Sequence, residues 1–547
     1  MRRSPLVSLS VLLFFAALGS ARAVPPALQA ETVLYHGKVF TADPGRPWAH
    51  AVAIRGGRIV AVGDDGPVRA LAGPGTRSID LGGRVVVPGF NDAHVHLGVG
   101  LPRLTLPPID IPGPGPSLDV ALGQVAQGVA VAAPGEWILV IVGERLILDP
   151  AATRLALDPV APDNPVLLLT WSSHSAVLNS RALAAAGIAP NAPDPFGGSY
   201  GRFPNGSLNG VVNEYALFRV FRAERATFSD AALRAQFEAL SALAAQAGVT
   251  SVQEMTIGLT RERSERVLGS AHLKIRLRSM CIPLSRDESC ESTLPSTDRL
   301  TWSGIKWLLD GTPIERSAAL REPYADFPGN GHFNLAPSDL TAAVRRSLFG
   351  VPVRSQLLVH TVGDRALDNI LGELGRAAPD AVWRLLRPRF EHGDLIHPEQ
   401  IEQARRLGVI VVQNPTHLAL DFSPALGADR AAAAQPLRTL LDEGVQLAFG
   451  SDAGLPNPFV DLFFAVIHPF HPAEALTMEQ AVTAYTRGSA TAEFQEWQKG
   501  SIKPGYLADL AVLSQDIFTI PPPAVPGTTS LLTLVGGEVT WDAGVLH

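Results

Sequence analysis

The sequence predicts an α/β protein: a (β/α)8 TIM barrel with a composite β-sandwich formed by the N- and C-terminal segments and an inserted subdomain after the first barrel strand. Three observations carry this expectation. Through the middle of the 547-residue chain, eight short apolar runs mostly lead into stretches of helical period, the pattern of repeated βα units. Both tails hold short apolar runs broken by glycine turns, which read as hairpin strands, and chain termini often lie close together. The first two barrel runs are separated by far more than one helix, and the Pro/Gly-rich residues 102–116 open that gap.

In chain order, residues 1–23 read as a secretory signal peptide. Arg2 and Arg3 form its charged start, residues 6–18 its apolar segment, and Ala21-Arg22-Ala23 a small-residue cleavage site. The apolar segment is short for a bilayer span of about 20 residues. No later segment is long and apolar enough, so the mature chain is expected to be exported, periplasmic or secreted, and free of the membrane. Strands are expected over 32–35, 38–40, 51–54 and 58–62, and again over 508–513 and 533–539. Residues 24–88 and 500–547 together make the expected sandwich. The barrel takes 89–499, with the insert at about 100–226. Its strands are expected over 90–96, 250–254, 274–280, 304–309, 356–360, 388–392, 409–413 and 446–450, with helices such as 398–407 and 478–487 following.

Composition narrows the class. Hydrophobic residues at 46% and charged residues at 18% describe a well-buried globular chain rather than a disordered one. A formal net charge of −7 without any basic run argues against nucleic acid as the partner and leaves a small-molecule substrate; a homo-oligomer stays open. Two cysteines, Cys281 and Cys290, can form a disulfide in an oxidising compartment or remain buried thiols, and they are too few for a cysteine metal site.

The most informative stretch is Asn91-Asp92-Ala93-His94-Val95-His96, which ends the first barrel strand. Side chains alternate faces along a strand, so His94 and His96 point the same way and can share one metal ion. Reading off the later strand ends adds Lys306, His360, His392 and Asp452. Lys306 sits in an apolar run, where a charged amine is costly. Either a buried ion pair or capture of CO2 as a carbamate, able to bridge two cations, resolves that cost. A lone histidine at a strand end is usually structural, but four converging on one barrel mouth are not independent accidents. Asp452 reads either as a turn or capping residue or as a carboxylate that touches the metal and takes a proton from water. His174, Asn179 and His417 are candidate substrate-holding donors, each with a structural alternative. Arg316 and Glu315 are candidate specificity residues.

These residues sit in motifs that resemble the amidohydrolase superfamily, specifically its YtcJ-like branch (amidohydrolase family 3, which includes N-substituted formamide deformylases). The motifs are Pro88-Gly89-Phe90-Asn91-Asp92-Ala93-His94-Val95-His96, Ser173-His174-Ser175-Ala176-Val177-Leu178-Asn179-Ser180, Ile305-Lys306-Trp307-Leu308-Leu309-Asp310-Gly311, Val359-His360-Thr361-Val362-Gly363-Asp364, Arg389-Phe390-Glu391-His392, Pro415-Thr416-His417 and Gly450-Ser451-Asp452-Ala453. The resemblance runs from about residue 32 to 542. It implies hydrolysis of non-peptide carbon–nitrogen bonds by one or two divalent metal ions, zinc being the default. A lactonase, esterase or isomerase on the same metal site, or a non-catalytic metal-stabilised binding protein, is the alternative. The resemblance makes His94, His96, Lys306, His360, His392 and Asp452 the ligand set, with Lys306 carboxylated and Asp452 the general base and acid. The chain departs from the branch pattern at Thr312-Pro313-Ile314-Glu315-Arg316-Ser317, at Asn414 and at Glu254; none removes a ligand, and the first two are expected to alter the pocket walls.

Overall fold

The computed structural model of the protein describes residues 29–97, 104–110, 113–350, 355–452, 454 and 456–546. The expected signal segment lies outside them. Among the described residues no helix is long and apolar enough to cross a membrane.

Eight parallel strands pair strictly with their neighbours in chain order: β1 (Phe90–Val95), β2 (Val249–Met255), β3 (Arg276–Cys281), β4 (Leu300–Leu308), β5 (Leu357–Thr361), β6 (Arg389–His392), β7 (Ile410–Gln413) and β8 (Gln446–Phe449). The two ends of this sheet meet just past β8, where Asp452 N donates to His94 O at 2.8 Å and His96 N donates to Asp452 O at 3.2 Å. The barrel is therefore nearly closed, and the seam is stitched by candidate site residues. Gly450 makes the approach possible, because a Cβ there would sit 2.4 Å from His94 N. Each expected barrel strand is present, with ends shifted by up to four residues.

The strands are buried on both faces, as parallel strands covered by helices must be. The interior is not purely apolar. Arg278, Gln253, Gln356 and Arg389 are buried inside it and joined by hydrogen bonds, Arg278 Nη2 to Gln356 Oε1 at 2.8 Å and Arg389 Nη1 to Gln253 Oε1 at 2.5 Å. These charged positions broke the apolar reading of the strands yet belong to the core, because each guanidinium finds oxygen acceptors there.

Before and after the barrel the two tails build one body. A six-stranded sheet pairs Val85–Pro88 with both Lys38–Phe40 and Leu510–Leu513, and continues through Ser530–Val535 and Glu538–Asp542. A four-stranded sheet holds Ala30–Tyr35, Ala51–Arg55, Arg58–Gly63 and Ala72–Asp80. The two share a core in which Leu34, Val52 and Ile54 pack with Val86, Leu510, Val512 and Leu534. Residues 533–539, read from the sequence in the style of hairpin strands broken by glycines, lie in a hairpin. Gly536 and Gly537 both take positive φ, which turns the chain between Val535 and Glu538. The expected helix 478–487 is α-helical only over Met478–Thr483 and then widens into a π-turn, Ala484–Gly488, beside the barrel seam.

The insert after β1 forms its own mixed six-stranded sheet over an apolar core that includes Val140, Leu168 and Val177. Its strands Val166–Thr170 and Ser175–Leu178 form an antiparallel hairpin whose tip, residues 171–174, reaches the barrel mouth. Cys281 at the end of β3 and Cys290 form a disulfide with Cα atoms 5.6 Å apart, resolving the two alternatives of the sequence.

Candidate metal centre and active-site cleft

At the C-terminal ends of the strands the six expected ligands converge. His94 Nε2 lies 3.3 Å from His96 Nε2, 2.9 Å from Lys306 Nζ and 3.3 Å from Asp452 Oδ1. His96 Nε2 is 3.4 Å from the same Asp452 oxygen. The His392 ring centre is 4.8 Å from that of His94 and 4.5 Å from that of His360. Alternation along β1 put the first two imidazoles on one face, as expected. His392 and Asp452 hold positive φ, 72° and 56°, a conformation that costs non-glycine residues energy and is retained where the surroundings enforce it.

The outer nitrogens of three histidines are spoken for. His96 Nδ1 is 2.8 Å from Met255 O. His392 Nδ1 is 2.8 Å from Asn414 Oδ1, and the Asn414 amide is oriented by its own donation to Gly450 O, so the ring must donate. His94 Nδ1 faces Glu391 Oε2 at 2.8 Å. With Nδ1 protonated in each ring, the Nε2 lone pairs of His94 and His96 face one another 3.3 Å apart. A cation between them fits this donor set, in the manner of outer partners that fix metal-binding imidazoles. His94, His392 and Asp452 form a compact trio whose donor atoms all lie within 4.8 Å of one another.

Burial pushes His96, His360 and His392 well below the ordinary imidazole range, keeping them neutral. Burial also lowers the Lys306 amine to about 8. Asp452 stays well below the carboxylate range: burial would raise it, but the His94, His417 and His392 rings outweigh burial. Asp92 explains its place in the motif. Its carboxylate accepts from Ser451 N at 3.1 Å, Ser451 Oγ at 2.6 Å and Tyr485 OH at 3.1 Å, clamping the segment that carries Asp452.

His174 and His417 both reach the site. His174, at the tip of the insert hairpin, packs 4.6 Å from the His360 ring, and its Nδ1 is 2.9 Å from Glu214 Oε2. His417 bridges two carboxylates, Nδ1 to Asp394 Oδ2 at 3.1 Å and Nε2 to Asp452 Oδ2 at 3.3 Å. Burial lowers the His417 ring, but Asp394 and Asp452 outweigh it and hold the pKa at about 10.

Two expectations are corrected. Asn179 is fully buried and away from the cleft. Its Oδ1 caps the helix Ser180–Ala185 by accepting from Ala182 N and also accepts from Val166 N, while its Nδ2 donates to Ala161 O and Asn164 O. Every polar atom of the amide is used locally. The Arg316 guanidinium is likewise turned away, held by Glu144 at 2.8 Å and Asp326 at 2.5 Å. Glu315 instead accepts from Ser172 and Thr312. Glu391, Asp394 and Glu214 had no role in the sequence reading, and Asn414 entered it only as a departure in a pocket wall. The adjacency of Glu391 to His392 was visible, but adjacent residues on a strand face opposite ways, so its approach to His94 was not.

Above the centre opens a cleft of about 450 Å3, walled by the insert tip and by loops after several barrel strands. A parallel barrel with histidines and a carboxylate gathered at its strand ends defines a class of metal-dependent barrel hydrolases. The chain belongs to the amidohydrolase family, whose description matches residues 77–541, and is an amidohydrolase-type hydrolase. It is 30% identical to the Arabidopsis thaliana protein LONG AFTER FAR-RED 3, over 94% of this chain and 92% of that one. It is 26% identical to a putative amidohydrolase, YtcJ, of Bacillus subtilis, over 94% and 99%. It is also 28% identical to the N-substituted formamide deformylase of Arthrobacter pascens, over 89% and 94%. Among solved structures, an uncharacterised metal-dependent hydrolase from Pyrococcus furiosus superposes with a TM-score of 0.66 at 25% identity, covering 89% of this chain and all of that one.

Proposed function

We propose that this protein hydrolyses non-peptide C–N bonds of amides or formamides at a divalent metal centre held by His94, His96, Lys306, His360, His392 and Asp452. The observation that carries the reading is the split environment of Asp452. Oδ1 faces the Nε2 atoms of His94 and His96, while Oδ2 faces His417 and the cleft. A bound divalent cation, zinc by default for so many imidazoles, supplies polarisation of a carbonyl and a water whose pKa falls from roughly 15.7 to about 7. Asp452 then accepts the water proton and delivers it to the departing nitrogen, which leaves as a neutral amine. His417 orients the Asp452 carboxylate, and His174, gripped by Glu214, reaches the site from the insert as a donor to the substrate carbonyl. Lys306 is proposed as a carbamate. Its low-lying amine supports this, because CO2 adds only to the unprotonated form. The relation to a formamide deformylase supports the bond type.

The disulfide supports an exported, mature chain beginning near residue 24, which N-terminal sequencing of protein recovered outside the cytoplasm tests. The test of function is metal content per chain with a panel of matched amides and esters, on wild type and Asp452→Asn. Bound divalent metal, amide cleavage and a loss of about 1,000-fold in the variant are expected. Cleavage of esters alone, or undiminished turnover in Asp452→Asn, overturns the reading.

A further inference from the structure

We propose that the cleft selects substrates whose group beyond the scissile bond is bulky, apolar and uncharged, and that it rejects carboxylate-bearing amides. This rests on the reading of the adjoining cluster as a hydrolytic metal centre. The walls come from separate parts of the chain: Trp171 at the insert tip, Ile314 after β4, Leu420 and Phe422 after β7, and Val460 and Phe464 on the helix Pro458–Ile467 after β8. Ile314 is buried, while the other five are only half-buried, so they present apolar surface to whatever enters. A cleft of about 450 Å3 with such walls suits one ring and its linker rather than a small polar amide.

The charges point the same way. Among the described lining residues there is neither lysine nor arginine, and of the acidic ones Asp394 is taken up by His417 while Asp452 belongs to the proposed metal centre. Arg316, two residues beyond Ile314, is spent on Glu144 and Asp326. The two rings that can carry positive charge each face a carboxylate already, His174 with Glu214 and His417 with Asp394. An anionic substituent seated against these walls, away from the metal centre, finds apolar side chains and no lysine or arginine among the described lining residues, so its desolvation is uncompensated. An uncharged ring buries apolar area at no such cost.

The test uses the metal-loaded full-length mature chain and two formamides that differ only by a carboxylate on the ring: N-formyl-2-phenylethylamine and 4-(2-formamidoethyl)benzoic acid. Turnover is measured as kcat/KM and binding by calorimetry. We expect a preference for the uncharged formamide of about 100-fold. Leu420→Arg and, separately, Phe464→Arg should shrink that ratio about 10-fold by improving the acid. Equal use of the two, preference for the acid, or failure of the uncharged formamide to bind overturns the proposal. If the uncharged compound binds selectively and is not cleaved, the cleft assignment stands and the amide-hydrolysis reading falls.

Discussion

Glu391→Gln tests the architecture beneath the metal centre. Glu391 is completely buried and receives Arg389 through two bonds, Nε to Oε1 at 2.8 Å and Nη2 to Oε2 at 3.0 Å. Its Oε2 also faces His94 Nδ1 at 2.8 Å. Burial alone would raise this carboxyl, but Arg389 and His94 outweigh burial and hold it near about 2, so it is ionised throughout the physiological range. The glutamine variant keeps the shape and removes the charge. Arg389 then keeps Gln253 Oε1, Ala93 O and at most one amide oxygen as acceptors, with no compensating charge and the buried cation Arg278 close by. Breaking one partner of a fully buried ion pair costs about 3–5 kcal/mol. The glutamine amide must also present its NH2 to one of two donors, Arg389 or His94 Nδ1, so the tautomer of His94 is no longer enforced. Loss of such an outer partner weakens metal affinity about 10- to 100-fold.

The assay is a double-mutant cycle of Glu391→Gln and Arg389→Gln. Chemical denaturation of the chelated protein gives stability, and competition with a chromogenic chelator gives metal affinity. We expect a coupling above about 2 kcal/mol between the two sites. We also expect weaker metal binding in Glu391→Gln even where the protein remains fully folded. A variant destabilised by less than about 1 kcal/mol that binds metal as tightly as wild type would refute the reasoning.

Three further outcomes follow from the same geometry. Carbamate formation at Lys306 needs the neutral amine, and burial lowers its pKa from the ordinary 10.5 to about 8. A 13C carbamate resonance from labelled bicarbonate should therefore grow as the pH rises through about 8 and be absent in Lys306→Ala; no resonance at any pH assigns the lysine to an ion pair. Cys290→Ser opens a loop of nine residues' separation and should lower stability by about 2.6 kcal/mol in the chain-entropy account, with metal content retained; an unchanged denaturation midpoint contradicts it. Asn179→Ala should destabilise by about 3 kcal/mol, since it strips a helix cap and leaves buried backbone groups unpaired, while KM for any substrate stays the same. A raised KM with unchanged stability would return Asn179 to substrate binding.

The convergence of the candidate ligands was legible in the sequence because two rules act together. Strand alternation places His94 and His96 on one face, and a parallel barrel gathers its strand ends at one mouth, so strand-end Lys306, His360, His392 and Asp452 had to meet them. What sequence could not decide depends on contacts between distant segments. His174 and Asn179 lie five residues apart in one motif, yet one sits at a hairpin tip over the metal centre and the other caps a helix inside the insert. Arg316 read as a loop charge facing solvent or substrate until Glu144, 172 residues earlier, was seen to hold it. Glu391, on the opposite face of its strand from His392, reaches His94 only because the sheet closes and brings β1 and β6 to one interior. Of the cleft, the sequence marked only the wall segments around Ile314 and His417; its apolar character was not legible, since its walls are single side chains from separate loops that only the closed barrel and its insert bring together.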